Sequence, residues 1–231
     1  MNDEVKKIRT ALSVFSFIVH RSSFIVFLFL LPGCSLLGAL AYKSGVGRQE
    51  PAQFAPDKLA PMVVVTENWS NPADSDVETE QLARFIYQEL KDNKVAPQID
   101  PMGVIDLRSQ DPQKFRTMSI PQIGKWAGAK QVLYVNITDN VLDAPIGSEV
   151  VTGGCTARVK IVNVDTGQII WPPDVARGYP VTVKTPTVQE GGATDEASVR
   201  QSLEKLIAGR IVRLFYKHDE EEDEAGADEM Q

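Results

Sequence analysis

The stretch that decides the fold is Gln131-Val-Leu-Tyr-Val-Asn-Ile-Thr138, in which apolar and β-branched residues dominate. A second run of the same kind, Met62-Val-Val-Val-Thr66, precedes it and predicts another buried strand. Two helices, over about 76–92 and from Ser119, and a short strand over 95–99 are predicted between them. The first helix follows from apolar residues at helical spacing, which are Leu82, Phe85, Ile86 and Leu90.

The segment after Thr138 predicts a β-meander and a closing helix. A strand over about 156–164, the turn Asp165-Thr-Gly167 and a returning strand over 168–171 form a hairpin, and residues 179–184 predict an edge strand. The last helix carries one long apolar stripe of Val199, Leu203, Leu206, Ile207, Ile211, Leu214 and Phe215. We therefore expect an α/β (α+β) fold in the order βαβα-βββ-α, with helices packed on a single sheet of about five strands.

Charge is unevenly distributed along the 231 residues, whose formal net charge is −7. Residues 1–33 carry four basic and two acidic side chains, and the last thirteen carry eight acidic and no basic ones. Residues 34–218 therefore sum to −1. A nearly neutral body argues against a nucleic-acid binder, which needs a basic surface to displace counterions.

The first part of the chain has the pattern of an export signal. Basic residues precede an uncharged run over 22–42, within which Leu31-Pro-Gly-Cys34 resembles the bacterial lipobox. That resemblance implies that Cys34 receives a lipid and becomes the mature amino terminus. The alternative is an uncleaved helix over 22–42, because 21 residues give about 31 Å of helix, enough to cross a bilayer.

These features divide the chain into four predicted parts. Residues 1–33 form the signal and lipobox region (or 22–42 a transmembrane anchor), and 34–59 a tether rich in glycine and proline. Residues 60–218 form the α/β domain, and 219–231 an acidic tail too densely charged to fold. The expected location is the cell membrane, inner or outer, with a lipid anchor on the periplasmic side.

Three phrases of the domain resemble one superfamily of envelope proteins. They are Val63-Val-Val-Thr66, Gly128-Ala-Lys-Gln-Val-Leu-Tyr134 and Val162-Asn-Val-Asp-Thr-Gly-Gln-Ile-Ile-Trp171. The superfamily includes the curli secretion-channel lipoprotein, the lipoprotein activators of penicillin-binding proteins and the TolB amino-terminal domain. The resemblance implies an α/β fold and an envelope location, and it carries over no catalytic residue.

Few residues are available for catalysis. The two histidines, His20 and His218, lie outside the predicted core, so neither a Ser-His-Asp catalyst nor a zinc site is expected. No cofactor is expected, since no glycine-rich phosphate loop follows a strand. Cys155 is expected in the core. The aspartate pairs Asp106 with Asp111 and Asp139 with Asp143 remain an alternative, either as an acid–base pair or as a cation site, although loop solvation and turn capping are favoured.

The sequence therefore predicts a non-enzymatic, membrane-anchored protein that binds an envelope protein during cell-envelope assembly or transport. The two polar loops, 68–74 and 185–192, are the expected contact surface. The alternatives are a single-pass membrane-anchored enzyme or cation binder using the paired aspartates, and a homo-oligomer. The candidate partner-binding residues in the loops are Trp69, Asn71, Asp74, Thr187 and Glu190.

Overall fold

The computed structural model describes residues 49–69, 75–143, 152–185 and 196–219. A compact unit begins at Gln49. Its elements in chain order are β1 (Gln49–Glu50), β2 (Met62–Asn68), α1 (Ser75–Asp92), β3 (Gln98–Ile99), α2 (Met102–Gln110), α3 (Pro112–Thr117), α4 (Ile120–Trp126), β4 (Gln131–Asp143), β5 (Thr152–Asn163), β6 (Ile169–Trp171), β7 (Tyr179–Lys184), α5 (Glu196–Arg213) and β8 (His218–Asp219).

The main sheet is mixed, and its strand order is β3-β2-β4-β5-β6. The strands β3, β2 and β4 are parallel, while β5 is antiparallel to β4 and to both β6 and β7. Strand β4 pairs along one edge of β5 over its whole length. The other edge of β5 is therefore shared by β6 and β7, which pair with successive parts of it. The expected α+β fold, with helices on a curled sheet of about five strands, is confirmed.

Helices cover both faces of the sheet, and alternation along the strands explains why. Met62 and Val64 of β2 pack in one apolar cluster with α1 and α5, whereas Val63 and Val65 pack in a second cluster with α2, α3 and α4. Successive side chains of a strand point to opposite faces, so a continuous valine run indicates burial on both. The uninterrupted apolar run in the sequence is thus the signature of a central strand.

The apolar stripe of the closing helix is confirmed with one correction. Val199, Leu203, Ile207 and Ile211 are buried against the sheet, but Leu206 is 41% exposed. Residues 203, 207 and 211 repeat every four positions along one side of α5, and Leu206 lies a quarter turn away from them. Ala208 and Val212 are buried on the side away from Leu206, so the buried face of α5 is displaced from the predicted stripe.

Trp126 of α4 is 47% exposed, whereas Ile123 of the same helix is buried. The helix α4 has only seven residues and ends at Trp126. The indole ring lies over Gly103 of α2, where a Cβ atom would stand 3.6 Å from its nearest ring carbon. A ring at the end of so short a helix packs on a neighbour with one face and leaves the other in solvent.

The second half of the predicted tether lies on the domain. The amides of Gln53 and Phe54 donate to the carbonyl of Leu214 at 2.9 and 3.1 Å, and the Phe54 ring packs 6.3 Å from that of Trp171. Residues 49–50 also pair with 218–219, so Asp219, assigned to the tail by sequence, ends a strand. Phe54 is the apolar residue that makes docking favourable, since its burial removes a large ring from water.

The segment 100–117 contains two helices, α2 and α3, although the pattern of residues 100–111 is ambiguous in the sequence. Their apolar residues Val104, Leu107 and Phe115 complete the second core cluster. The helices are short and their apolar residues too few to show a clear 3.6-residue period. Contact with the sheet, rather than local pattern, stabilises them.

Candidate functional site

The candidate loops leave the domain at one end of the sheet. The register pairs Asp143 with Thr152 and Gly154 with Lys184, so β4 and β7 end there and β5 begins there; β2 runs toward the same end and stops at the level of Ile137, six residues before the end of β4. The amino-terminal parts of α1 and α5 lie at the same end, where Val199 stands close to Gly153. We call this the loop end. The two polar loops predicted from sequence, 68–74 and 185–192, both start from it.

Trp69 is the exposed aromatic side chain at the loop end, with 67% of its surface accessible. Its backbone amide donates to the carbonyl of Ile137 at 3.1 Å and so continues the pairing of β2 with β4. Its indole Nε1 donates to Glu67 Oε2 at 2.9 Å. Both the backbone and the ring of this tryptophan are therefore held in place while its surface remains in solvent.

The carboxylate of Glu67 is in turn held in place by Tyr134. Tyr134 of β4 donates its hydroxyl to Glu67 Oε2, the same oxygen that accepts from Trp69. Burial, reinforced by the hydrogen bond and negative charge of Glu67, raises the pKa of Tyr134 well above its ordinary value, so the hydroxyl stays protonated and donates. The ammonium of Lys160 stands 4.9 Å from the centre of the Tyr134 ring.

These four residues, Glu67, Trp69, Tyr134 and Lys160, form what we call the indole cluster. Burial lowers the pKa of Lys160, and the carboxylate of Glu67 opposes that shift. The cluster brings together one cation, one anion and an exposed ring, on three adjacent strands. Such an arrangement is suited to recognising a surface by contact.

Arg108 of α2 supports the same strand from its open side. The short strand β3 pairs with Met62 and Val63, so among the described residues the rest of β2 has a strand neighbour on one side alone. The Arg108 guanidinium donates to the carbonyl of Thr66 and, at 2.9 Å, to Thr79 Oγ1, and it lies 4.6 Å from the centre of the Phe115 ring. One planar side chain thus supplies donors that a longer β3 would otherwise provide.

A second polar group lies on the other face of the sheet, between α1 and α5. Arg200 forms an ion pair with Glu78 Oε1, and Asn140 Nδ2 donates to Glu78 Oε2 at 3.1 Å. Glu204, one turn after Arg200, is only 8% exposed, and its Oε2 atom has no hydrogen-bond donor among the described residues. Burial and the charge of Glu78, opposed by Arg200, raise the pKa of Glu204 to about 7.

Neither a family model nor a curated protein matches the chain. Among solved structures, lipoprotein GNA1162 from Neisseria meningitidis is similar, with 14% identity over 55% of this chain and 83% of that one and a TM-score of 0.42. The PelC dodecamer from Paraburkholderia phytofirmans is 18% identical over 71% of this chain and 94% of that one, with a TM-score of 0.34. The LpoB C-terminal domain from Salmonella enterica is 17% identical over 64% of this chain and 93% of that one, with a TM-score of 0.33. All three TM-scores are below 0.5.

The structure locates one of the five predicted partner-binding residues. Trp69 is exposed, whereas Asn71, Asp74, Thr187 and Glu190 lie outside the described residues. Cys34, the predicted lipidation site, also lies outside them. No helix within the described ranges combines the length and the apolar character needed to cross a bilayer.

The structure describes the side chains of three of the four aspartates in the predicted pairs. Asp111 accepts from the backbone amide of Lys114 at 3.0 Å and so caps α3, the role favoured from sequence. Asp106 and Asp139 are exposed, and the side chain of Asp143 lies outside the described part. In the described ranges, no three His, Cys, Asp or Glu residues are grouped to hold a metal ion.

Cys155 is buried in the first core cluster, as predicted, with 4% of its surface accessible. Burial, with smaller effects from Asp139, Glu78 and Glu204, raises the pKa of its thiol to about 12. A thiol with so high a pKa is protonated at neutral pH and is a poor nucleophile. Its place in the structure is that of a small apolar core residue.

The sequence pattern does not indicate that Glu67, Tyr134, Lys160 and Arg108 belong to the candidate site. Period-two alternation along β2 and β4 places Glu67 and Tyr134 on the same faces as Val63, Val65 and Val132, which was a usable signal. It becomes specific only once the register of the two strands is known, because a shift of one residue reverses the faces. No local signal links Arg108 to Thr66.

Proposed function

We propose that the chain is an exported, membrane-anchored lipoprotein whose α+β domain binds a protein partner in cell-envelope assembly or transport, without catalysis. The observation that carries this proposal is the exposed Trp69, whose ring is held by Glu67 while Tyr134 holds Glu67. The lipobox-like Leu31-Pro-Gly-Cys34 supports the anchor.

A held tryptophan favours association for two physical reasons. Burying its ring under a partner removes a large apolar area from water, and tryptophan is among the residues that dominate interface energetics. Because the indole is already fixed by a hydrogen bond, less side-chain entropy is lost on binding than for a freely rotating side chain. The charged neighbours Glu67 and Lys160 then restrict which partner surfaces fit.

The lipid anchor is tested by labelling cells with a fatty acid and measuring the intact mass of the purified protein. We expect the wild type to lose residues 1–33 and to carry label, and Cys34→Ala to carry none. Cys155→Ala is the matched control and should label like the wild type, since its thiol is in the core. A wild-type protein that keeps residues 1–33 without label contradicts the lipoprotein proposal.

Partner binding is tested by placing a photo-crosslinking amino acid at position 69 in the full chain, in cells. We expect a discrete crosslinked protein from position 69 and none from position 59, because Leu59 is 90% exposed but lies before β2, away from the loop end. Trp69→Ala should weaken binding of the captured protein by about 30-fold, the effect of removing about 2 kcal/mol at a central interface residue.

Two results contradict this assignment of the contact surface. One is equal crosslinking from positions 69 and 59, which indicates non-specific proximity. The other is an unchanged affinity in Trp69→Ala, with Leu59→Ala as the control for an exposed apolar residue elsewhere. A crosslinked species with twice the mass of the chain indicates a homo-oligomer instead of a different partner.

A further inference from the structure

A groove lies beside the first four residues of β7, from Tyr179 to Thr182. It runs between β7 and the carboxyl-terminal half of α5 and encloses a cavity of about 160 Å³. The first residues of β7 form one wall, and Arg210 and Arg213 of α5 form the other. His218 and Glu50 of the small sheet close its end.

The groove has a positive lining and an open strand beside it. The charged residues that line the groove are two half-buried guanidinium groups, Arg210 and Arg213, and one carboxylate, Glu50. Among the described residues, β7 pairs only with β5, so no strand covers its outer edge. Exposed strand edges promote pairing with other chains, and proteins commonly cover or charge them.

The acidic end of the chain begins beside this groove. His218 lines it, and Asp219 is the last described residue. Residues 220–231 carry seven carboxylates and no basic group. Five extended residues span about 17 Å, so residues 220–224 reach the arginines from Asp219 without crossing the domain.

We propose that residues 220–224 of the same chain bind in this groove, where their carboxylates pair with Arg210 and Arg213 and cover the outer edge of β7. Charge complementarity selects an acidic occupant, and attachment through His218 selects the chain's own tail. A short covalent connection gives the tail an effective concentration on the order of 1 mM or above, at which even weak ion pairs form. This inference does not depend on the partner proposed for the loop end.

The experiment is hydrogen exchange of the full chain in detergent micelles, followed in peptides that cover β7. The test variant neutralises the near tail with Glu220→Gln, Glu221→Gln, Glu222→Gln, Asp223→Asn and Glu224→Gln. The matched control, Asp228→Asn with Glu229→Gln, neutralises the far tail. We expect exchange in β7 to become about tenfold faster in the test variant and to remain unchanged in the control.

High salt should reproduce the effect in the wild type, because about 0.5 M NaCl screens ion pairs of this kind. Arg210→Gln with Arg213→Gln should also accelerate exchange in β7, and the tail variant keeps the test independent of any folding defect in these changes. Equal exchange in wild type and test variant overturns the proposal. So does protection that rises with protein concentration, because the tail of a second copy then occupies the groove.

Discussion

At the scale of single residues, the chain uses the same acidic side-chain type in two different ways. Glu67 accepts two side-chain hydrogen bonds and holds Trp69 in place. Glu204 is buried beside Glu78, and its Oε2 atom has no donor among the described residues. The first carboxylate organises a surface, whereas the second makes stability depend on pH.

Glu204 predicts that the domain becomes less stable as pH rises. Its folded pKa of about 7 lies above the ordinary value, so the folded state binds the proton more tightly than the unfolded state between about pH 4.5 and 7. The contribution of Glu204 to stability is therefore greatest below this range, falls by about 2–3 kcal/mol across it and is constant above it.

We expect Glu204→Gln to remove this part of the pH dependence and to raise the unfolding free energy at pH 8 by about 1–2 kcal/mol. Urea unfolding at several pH values measures it. Glu89→Gln, an exposed change on α1, is the control and should follow the wild type. An unchanged slope in Glu204→Gln contradicts the prediction.

At the scale of elements, short β3 leaves β2 with one strand neighbour beyond Val63, and α2 compensates. The Arg108 guanidinium joins the carbonyl of Thr66 to the hydroxyl of Thr79, and so connects α2, β2 and α1. The hydrogen bonds of Arg108 therefore add to the few apolar contacts that hold α2 against the sheet.

Arg108→Ala is expected to destabilise the domain by about 2–3 kcal/mol, because it leaves a partly buried carbonyl without its charged donor. Arg108→Lys should recover only part of the loss, since one ammonium does not reproduce the planar fork. Arg116→Ala, at an exposed position of α3, is the control. If the two alanine variants unfold at the same urea concentration, the proposed support of β2 is wrong.

At the scale of the whole molecule, the entry of the chain and the proposed contact surface lie at different places on the sheet. The chain enters at Gln49 and its described part ends at Asp219, and these residues pair with each other near the start of β7. Trp69 follows the last residue of β2, and β4 and β5 lie between β2 and β7. The widths of β4 and β5 therefore separate the chain entry from the proposed contact surface.

The docked segment before β2 should contribute to stability. Phe54→Ala removes a ring packed on Trp171 and is expected to cost about 1–2 kcal/mol and to accelerate proteolysis within residues 49–59. Leu59→Ala, at a 90% exposed side chain, should change stability by less than about 0.5 kcal/mol. Equal proteolysis of wild type and Phe54→Ala contradicts the docking.

Much of the fold was accessible from local pattern. The valine run of β2, the apolar stripe of α5 and the turn at 165–167 each depend on residues close in sequence. The helices α2 and α3 could not be predicted from local pattern, because their stability comes from contact with the sheet. Of the candidate site, only Trp69 could be named and located, since its exposure follows from its place in a polar loop.

The sequence by itself determined the order of the longer strands and helices, the burial of Cys155 and the charge of the tail, because periodicity and composition act over short distances. Only the tertiary structure decided which polar groups meet. Tyr134 reaches Glu67, and Arg200 reaches Glu78, across long stretches of chain. The physical reason is that strand register and helix docking are set by the packing of the whole core, so a contact between distant residues has no local signature.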